Sequence, residues 1–157
     1  EMERKINCAA SWIARGRAVV KRNSRTKEIV QVFPPEEPYR LIEQLSTLLN
    51  SLIIIHMNQV SDRVQKIFMD VVTGCVPRDR MEIVNCLWQE GNTGLKREEL
   101  THLLNSFNNS SLTHLLQDMR LLKLIVCHDT KYYLEPNFLE LFSEWLVVEP
   151  VFEKVKR

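Results

Sequence analysis

A chain of 157 residues is long enough for one domain with a proper core, or for two small units packed together. With 45% hydrophobic and 26% charged residues it lies well away from disordered compositions, and no apolar run approaches the roughly 18 residues that a membrane span needs. The net charge of +1 conceals an asymmetry, because residues 1–80 carry 13 basic against 9 acidic side chains and residues 81–157 carry 8 against 11.

Within the basic half, Arg15, Arg17, Lys21, Arg22, Arg25 and Lys27 form a run with no acidic residue among them, the strongest electrostatic feature of the chain. No N-terminal stretch has the charged-then-apolar order of a signal peptide, so a cytoplasmic protein without a membrane partner is expected. A first residue of Glu1 rather than methionine fits a piece of something longer. Cys8, Cys75, Cys86 and Cys127 are widely spaced among aliphatic residues and read as reduced, buried small hydrophobes.

Two short β-branched runs, Arg17–Lys21 and Glu28–Phe33, flank the polar stretch Asn23–Thr26 and predict a β-hairpin. Pro34 and Pro35 end the second strand, because proline cannot donate to the ladder, and Glu36, Glu37 and Pro38 suit the first turn of a helix. From Tyr39 the residues Leu41, Ile42, Leu45, Leu48, Leu49, Leu52 and Ile53 recur at steps of three and four, which predicts an amphipathic helix to about Met57. Ser61 is placed to cap a second helix with Val64, Ile67, Phe68, Val71 and Val72 on its face, closed by Gly74. Residues 1–76 thus read as a basic hairpin with a helical unit.

Residues 77–157 read as a second unit. Pro77 starts a helix with Met81, Ile83, Val84, Leu87 and Trp88 inside, stopped by Gly91–Gly94. A short helix over Lys96–Leu104 follows, with Leu95, Leu100, Leu103 and Leu104 as its buried positions, and then the turn Asn105–Asn109. Ser110 or Ser111 is the expected cap of the next helix, which buries Leu112, Leu115, Leu116, Met119 and Leu122 and presents Thr113, His114, Gln117 and Asp118. Leu124–Cys127 and Lys131–Leu134, around His128, Asp129 and Thr130, predict a second hairpin on which Tyr132 and Tyr133 alternate faces, one of them outside. Asn137 is the expected cap of a closing helix carrying Phe138, Leu139, Leu141, Phe142, Trp145 and Leu146. The fold class is therefore mainly α with small β.

This succession, with the run Ser110-Ser111-Leu112-Thr113-His114-Leu115-Leu116-Gln117-Asp118-Met119 and then Leu122-Lys123-Leu124-Ile125, resembles a winged helix-turn-helix. The stretch Lys131-Tyr132-Tyr133-Leu134-Glu135-Pro136-Asn137-Phe138 looks like a wing leading into a closing helix, as in winged helices attached to prokaryotic AAA+ and related P-loop ATPases. Upstream, Pro35–Leu41 and Val60–Asp62, each opening a helix, are similar to the helical lid that precedes the winged helix in such ATPases. Lys123 departs from the pattern, standing where many members have glycine. The resemblance implies a DNA-binding module, either a regulator or the C-terminal tail of a larger ATPase.

In such a module Ser110, Ser111, Thr113, His114 and Gln117 would meet base edges, and Lys131 on the wing would meet phosphate. The second unit has few cations for that task. Lys96, Arg97, Arg120, Lys123 and Lys131 are outnumbered by Glu98, Glu99, Asp118, Asp129, Glu135, Glu140 and Glu144. Duplex binding is therefore expected to depend on Arg17, Lys21, Arg22, Arg25 and Lys27 lying on the same face as the third helix. The competing reading is a solvated hairpin edge and a protein-interaction or homodimerisation module. Leu146, Val147, Val148, Val151 and Phe152, which extend the apolar character of Phe138–Lys154, favour that alternative.

Chemistry is not expected of this chain alone. It has no GxxxxGK[ST] loop, no GxGxxG and no HExxH, and Cys127, His128 and Asp129 are consecutive, so they cannot converge as a relay. No cofactor and no metal are expected. Trp88 and Trp145 fall on apolar helical faces and read as core rather than as platforms for single-stranded bases.

Overall fold

The computed structural model describes residues 2–105 and 107–145, with Glu144 and Trp145 described by backbone alone. Its first element is a helix that the sequence pattern does not announce, α1 at Met2–Arg17. Ile6, Ala9, Ala10 and Ile13 fall three or four apart and are buried with Trp12 and Ala14. Alanine in that stripe lets neighbouring helices approach closely, and Gly16 extends it, since a Cβ there would run into the methyl groups of Val76.

The hairpin follows as β1 (Val20–Arg22) and β2 (Ile29–Val32), antiparallel with Val20 opposite Val32 and Lys21 opposite Gln31. Its first strand begins later than expected because α1 consumes the residues through Arg17. Helix α2 (Tyr39–Ile55) buries Leu41, Leu45 and Leu49, and α3 (Asp62–Gly74) buries Val64, Phe68, Met69 and Val72. Ser61 caps α3 as expected, accepting from the Val64 N–H. The far end of α2 leaves Ile54, Ile55 and Met57 in solvent, the last 87% exposed.

Helix α4 (Arg78–Glu90) opens after Pro77 and stops at Gly91, whose φ of 56° suits glycine. A short 3-10 turn over Gly91–Thr93 leads to β3 (Leu95–Lys96), α5 (Arg97–Leu103), α6 (Asn109–Leu121), β4 (Ile125–His128), β5 (Lys131–Leu134) and α7 (Pro136–Trp145). The three strands form one antiparallel sheet in the order β3-β5-β4. Mainly α with small β is therefore the observed class.

Several local expectations are corrected. Leu103 is 56% exposed, because α5 is only seven residues long and turns its buried side through Leu100 while Leu104 closes it from beyond its end. The cap of α6 is Asn108 rather than Ser110 or Ser111: its Oδ1 accepts the Ser111 N–H at 2.7 Å, so both serines lie inside the first turn. At α7 the cap belongs to Glu135 rather than Asn137, since its carboxylate accepts the Asn137 N–H at 3.1 Å beside Pro136 at the first helical position. Strand β4 includes His128, leaving Asp129 and Thr130, both at positive φ, as a two-residue turn. Both Tyr132 and Tyr133 are half-buried, and so are all four cysteines, none in a disulfide. The side chain of Trp145 and the residues Leu146–Phe152 invoked for dimerisation lie outside the described residues.

Lys123 adopts the conformation its position demands. With φ 54° it ends α6 in the left-handed region, where the Leu124 N–H reaches the Met119 carbonyl (2.9 Å) and the Lys123 N–H reaches that of Arg120 (3.0 Å). Leu124 and Met119 are both fully buried, the apolar contact that completes this type of helix end.

The buried residues form one cluster from Ile6 to Phe142, and α1, which packs against α2, α3 and α7, helps to join its parts. Trp12 stands edge-on to Phe138 and to Phe142, each ring centroid 5.1 Å away. Arg4 pairs with Glu140, and the Arg15 guanidinium donates to the Lys123 carbonyl (3.2 Å) while lying over the Phe138 ring. From α4, Arg80 Nη1 donates to the carbonyls of Gly16 (2.5 Å) and Ala18 (2.9 Å), the unsatisfied acceptors at the C-terminal end of α1. Burial pulls the Arg80 guanidinium below its usual range, with Asp79 and Asp118 acting in the opposite direction.

Candidate nucleic-acid interface

The basic hairpin lies against the polar side of α6, and one side chain makes the join. Arg22 Nε donates to Asp118 Oδ1 at 3.1 Å and Nη2 to the same oxygen at 2.5 Å. Nη2 also reaches Gln117 Oε1 (3.0 Å) and the His114 carbonyl (3.2 Å), while Nη1 reaches back to the Lys27 carbonyl at 2.8 Å. Arg22 and Asp118 are only 15% and 16% exposed. Losing one partner of a fully buried ion pair costs roughly 3–5 kcal/mol, and this sheltered pair lies somewhat below that.

The hairpin turn is built locally. Asn23 Oδ1 accepts the N–H groups of Arg25 (2.8 Å) and Thr26 (3.2 Å), a side chain standing in for backbone in a tight turn. Lys27, at φ 61°, turns its carbonyl to Arg22, and Thr26 Oγ1 bonds Glu28 at 3.0 Å. Lys21, Arg25 and Lys27 are left exposed, with no ion pair to any described residue.

The remaining candidate residues divide into two groups. Ser110, Ser111, Thr113 and Gln117 are exposed on α6, Gln117 with its Oε1 already engaged by Arg22 and Thr113 with its hydroxyl donating to the Asn109 carbonyl (2.7 Å). The structure ties the hairpin that carries Lys21, Arg25 and Lys27 to α6 at His114, Gln117 and Asp118, so of the candidate residues on the helix Gln117 is the one whose side chain is in direct contact with the hairpin. His114 is turned inward instead, with Nδ1 buried and without a hydrogen-bond partner among the described residues. Arg17 pairs with Glu36 at 3.4 Å, Arg22 is spent on the join, and Lys131 Nζ is held by the Thr93 carbonyl at 3.0 Å.

Asp118, Arg15 and Arg80 are organising residues that no sequence motif singles out. Nothing in the pattern points to the Arg22–Asp118 pair, whose members stand 96 residues apart.

A groove of about 570 Å³ lies between α1 and α7, lined by Cys8, Ser11, Arg15, Glu135 and Asn137 among others. Burial, aided by Glu135 and Glu140, pushes the Cys8 thiol up to about 11, and its Sγ lies 3.3 Å from the Asn137 carbonyl. A thiol held protonated is a poor nucleophile, so the groove supplies no activated group of that kind. Among the described residues no group of three His, Cys, Asp or Glu side chains stands close enough to hold a metal ion, and no helix is long and apolar enough to cross a membrane. Set against protein-family models, curated proteins and solved structures, the chain matches none.

Proposed function

We propose that this chain is a winged-helix module that binds double-stranded DNA through a composite face, the β1–β2 hairpin together with the polar side of α6. The observation that carries the reading is the Arg22 join, which ties the hairpin bearing Lys21, Arg25 and Lys27 to the helix bearing Ser110, Ser111, Thr113 and Gln117. The order α4, β3, α5, α6, β4, β5 and the sheet order β3-β5-β4 support the winged-helix assignment, with α6 as the helix that stands toward the groove. Phosphates meet the hairpin cations, and the short polar side chains of α6 meet base edges. In this reading the module does no chemistry of its own, and any ATP hydrolysis belongs to a larger protein that carries it. A cytoplasmic setting accords with four cysteines free of disulfides.

Fluorescence anisotropy with a mixed-sequence duplex of about 20 base pairs tests this. Replacing Lys21, Arg25 and Lys27 together by Gln is expected to weaken binding at least tenfold at about 50 mM salt, and to flatten the salt dependence by roughly 0.9 in log–log slope for each phosphate no longer neutralised. Absent binding by the unaltered chain, or binding indifferent to the triple substitution, rejects the proposal.

A further inference from the structure

We infer that Asp118 is a positioning residue for this face, one whose negative charge favours the binding of a polyanion by fixing where the hairpin cations stand. The inference rests on the reading of the face as a DNA-binding one.

A carboxylate in the middle of a phosphate-binding helix face is, by charge alone, a defect. Here it is consumed. Among the described residues Arg22 supplies every hydrogen bond between the hairpin and α6, and Asp118 accepts two of them. The guanidinium also spans the hairpin's own turn through the Lys27 carbonyl, so one planar group fixes both the distance of the hairpin from α6 and the shape of its tip. Little else holds the hairpin: Val30, Gln31, Val32 and Phe33 are exposed, as are residues 23–28, and Val20 and Ile29 are its partly buried apolar residues. Without Asp118, Arg22 loses two of its four bonds to α6, and the hairpin that carries the three exposed cations is less firmly held against the helix.

Charge alone and positioning predict opposite signs. Asp118→Ala removes one negative charge and frees a positive one, so simple electrostatics demands tighter binding. Positioning demands weaker binding, about tenfold, with the log–log salt slope flatter by about 2 as the hairpin cations lose their fixed places along the backbone. Glu98→Gln, an exposed acid on α5, serves as the control that reports charge alone and is expected to leave affinity unchanged or slightly higher.

Anisotropy titrations of the full chain with the same duplex decide between the two. Arg22→Lys preserves net charge but cannot reproduce the branched set of bonds, and it is expected to show the same loss; it keeps the test decisive should Asp118→Ala prove unstable. Asp118→Asn, which retains an acceptor oxygen, falls between Asp118→Ala and the unaltered chain, and the exchanged pair Arg22→Asp with Asp118→Arg recovers most of the affinity. Amide hydrogen exchange provides a readout independent of DNA, with the Asn23 and Lys27 N–H groups exchanging faster in Asp118→Ala and in Arg22→Lys. Binding by Asp118→Ala and Arg22→Lys as tight as that of the unaltered chain, or tighter, overturns the inference and leaves the DNA-binding reading in place. No binding by the unaltered chain overturns that reading and the role of Asp118 with it.

Discussion

Gly94 and Lys123 hold similar backbone angles, φ 64° and φ 54°, with opposite side-chain content. Lys123 tolerates the left-handed region because its side chain is exposed and the helix end around it is fully hydrogen-bonded. Gly94 has no such freedom, since a Cβ there would be driven into the ring of Tyr133. Gly94→Ala is therefore expected to lower stability by about 2 kcal/mol or more, from the conformational penalty and the clash together, read as a shifted midpoint in urea. In the sequence Gly94 stands as a stop signal and Lys123 as a departure from glycine, and both fall on positions with positive φ. Arg22 carries no such mark. One arginine in a run of six cations looks like its neighbours, and what turns it inward is a carboxylate 96 residues away.

Among elements, those with a leucine or valine stripe are legible. Leu41, Leu45 and Leu49 locate α2 as surely as Val64, Phe68 and Val72 locate α3. Helix α1 is hidden because its stripe is largely alanine, a residue whose burial has little hydropathic signature but whose small size serves tight helix contact. With α1 hidden the first hairpin strand is misplaced as well, since it begins at Val20 only because the helix runs through Arg17. For α6 the expected apolar face is the observed one, but the cap lies two or three residues earlier, at Asn108. Asn108→Ala is expected to cost about 1 kcal/mol in thermal or urea unfolding, whereas Ser111→Ala, on an exposed side chain that caps nothing, is expected to stay within about 0.5 kcal/mol of the parent. Equal effects of the two would return the capping role to the serine.

At the scale of the molecule, the two segments into which the sequence divides share one core. Ile6 through Val76 and Ile83 through Phe142 contribute to the same buried cluster, and Trp12 joins them through its edge-on approach to Phe138 and Phe142. Trp12→Ala is expected to cost about 3–5 kcal/mol and to lower the stability of both segments together, as a single transition at which far-ultraviolet circular dichroism and near-ultraviolet signals coincide. Two separated transitions would show that α1 does not couple them.

That coupling also sets the order of assembly. The bonds from α1 to α7 and to the end of α6 join residues 108 to 136 positions apart: Arg15 with Lys123, Cys8 with Asn137, Arg4 with Glu140. On the ribosome α1 emerges well before α7, so Trp12 waits for about a hundred more residues to be made, although α2, against which α1 also packs, follows soon after it. Closing so long a loop is an entropic cost met before the packing repays it, so the seam between α1 and α7 is expected to form late, after the neighbouring helices and hairpins.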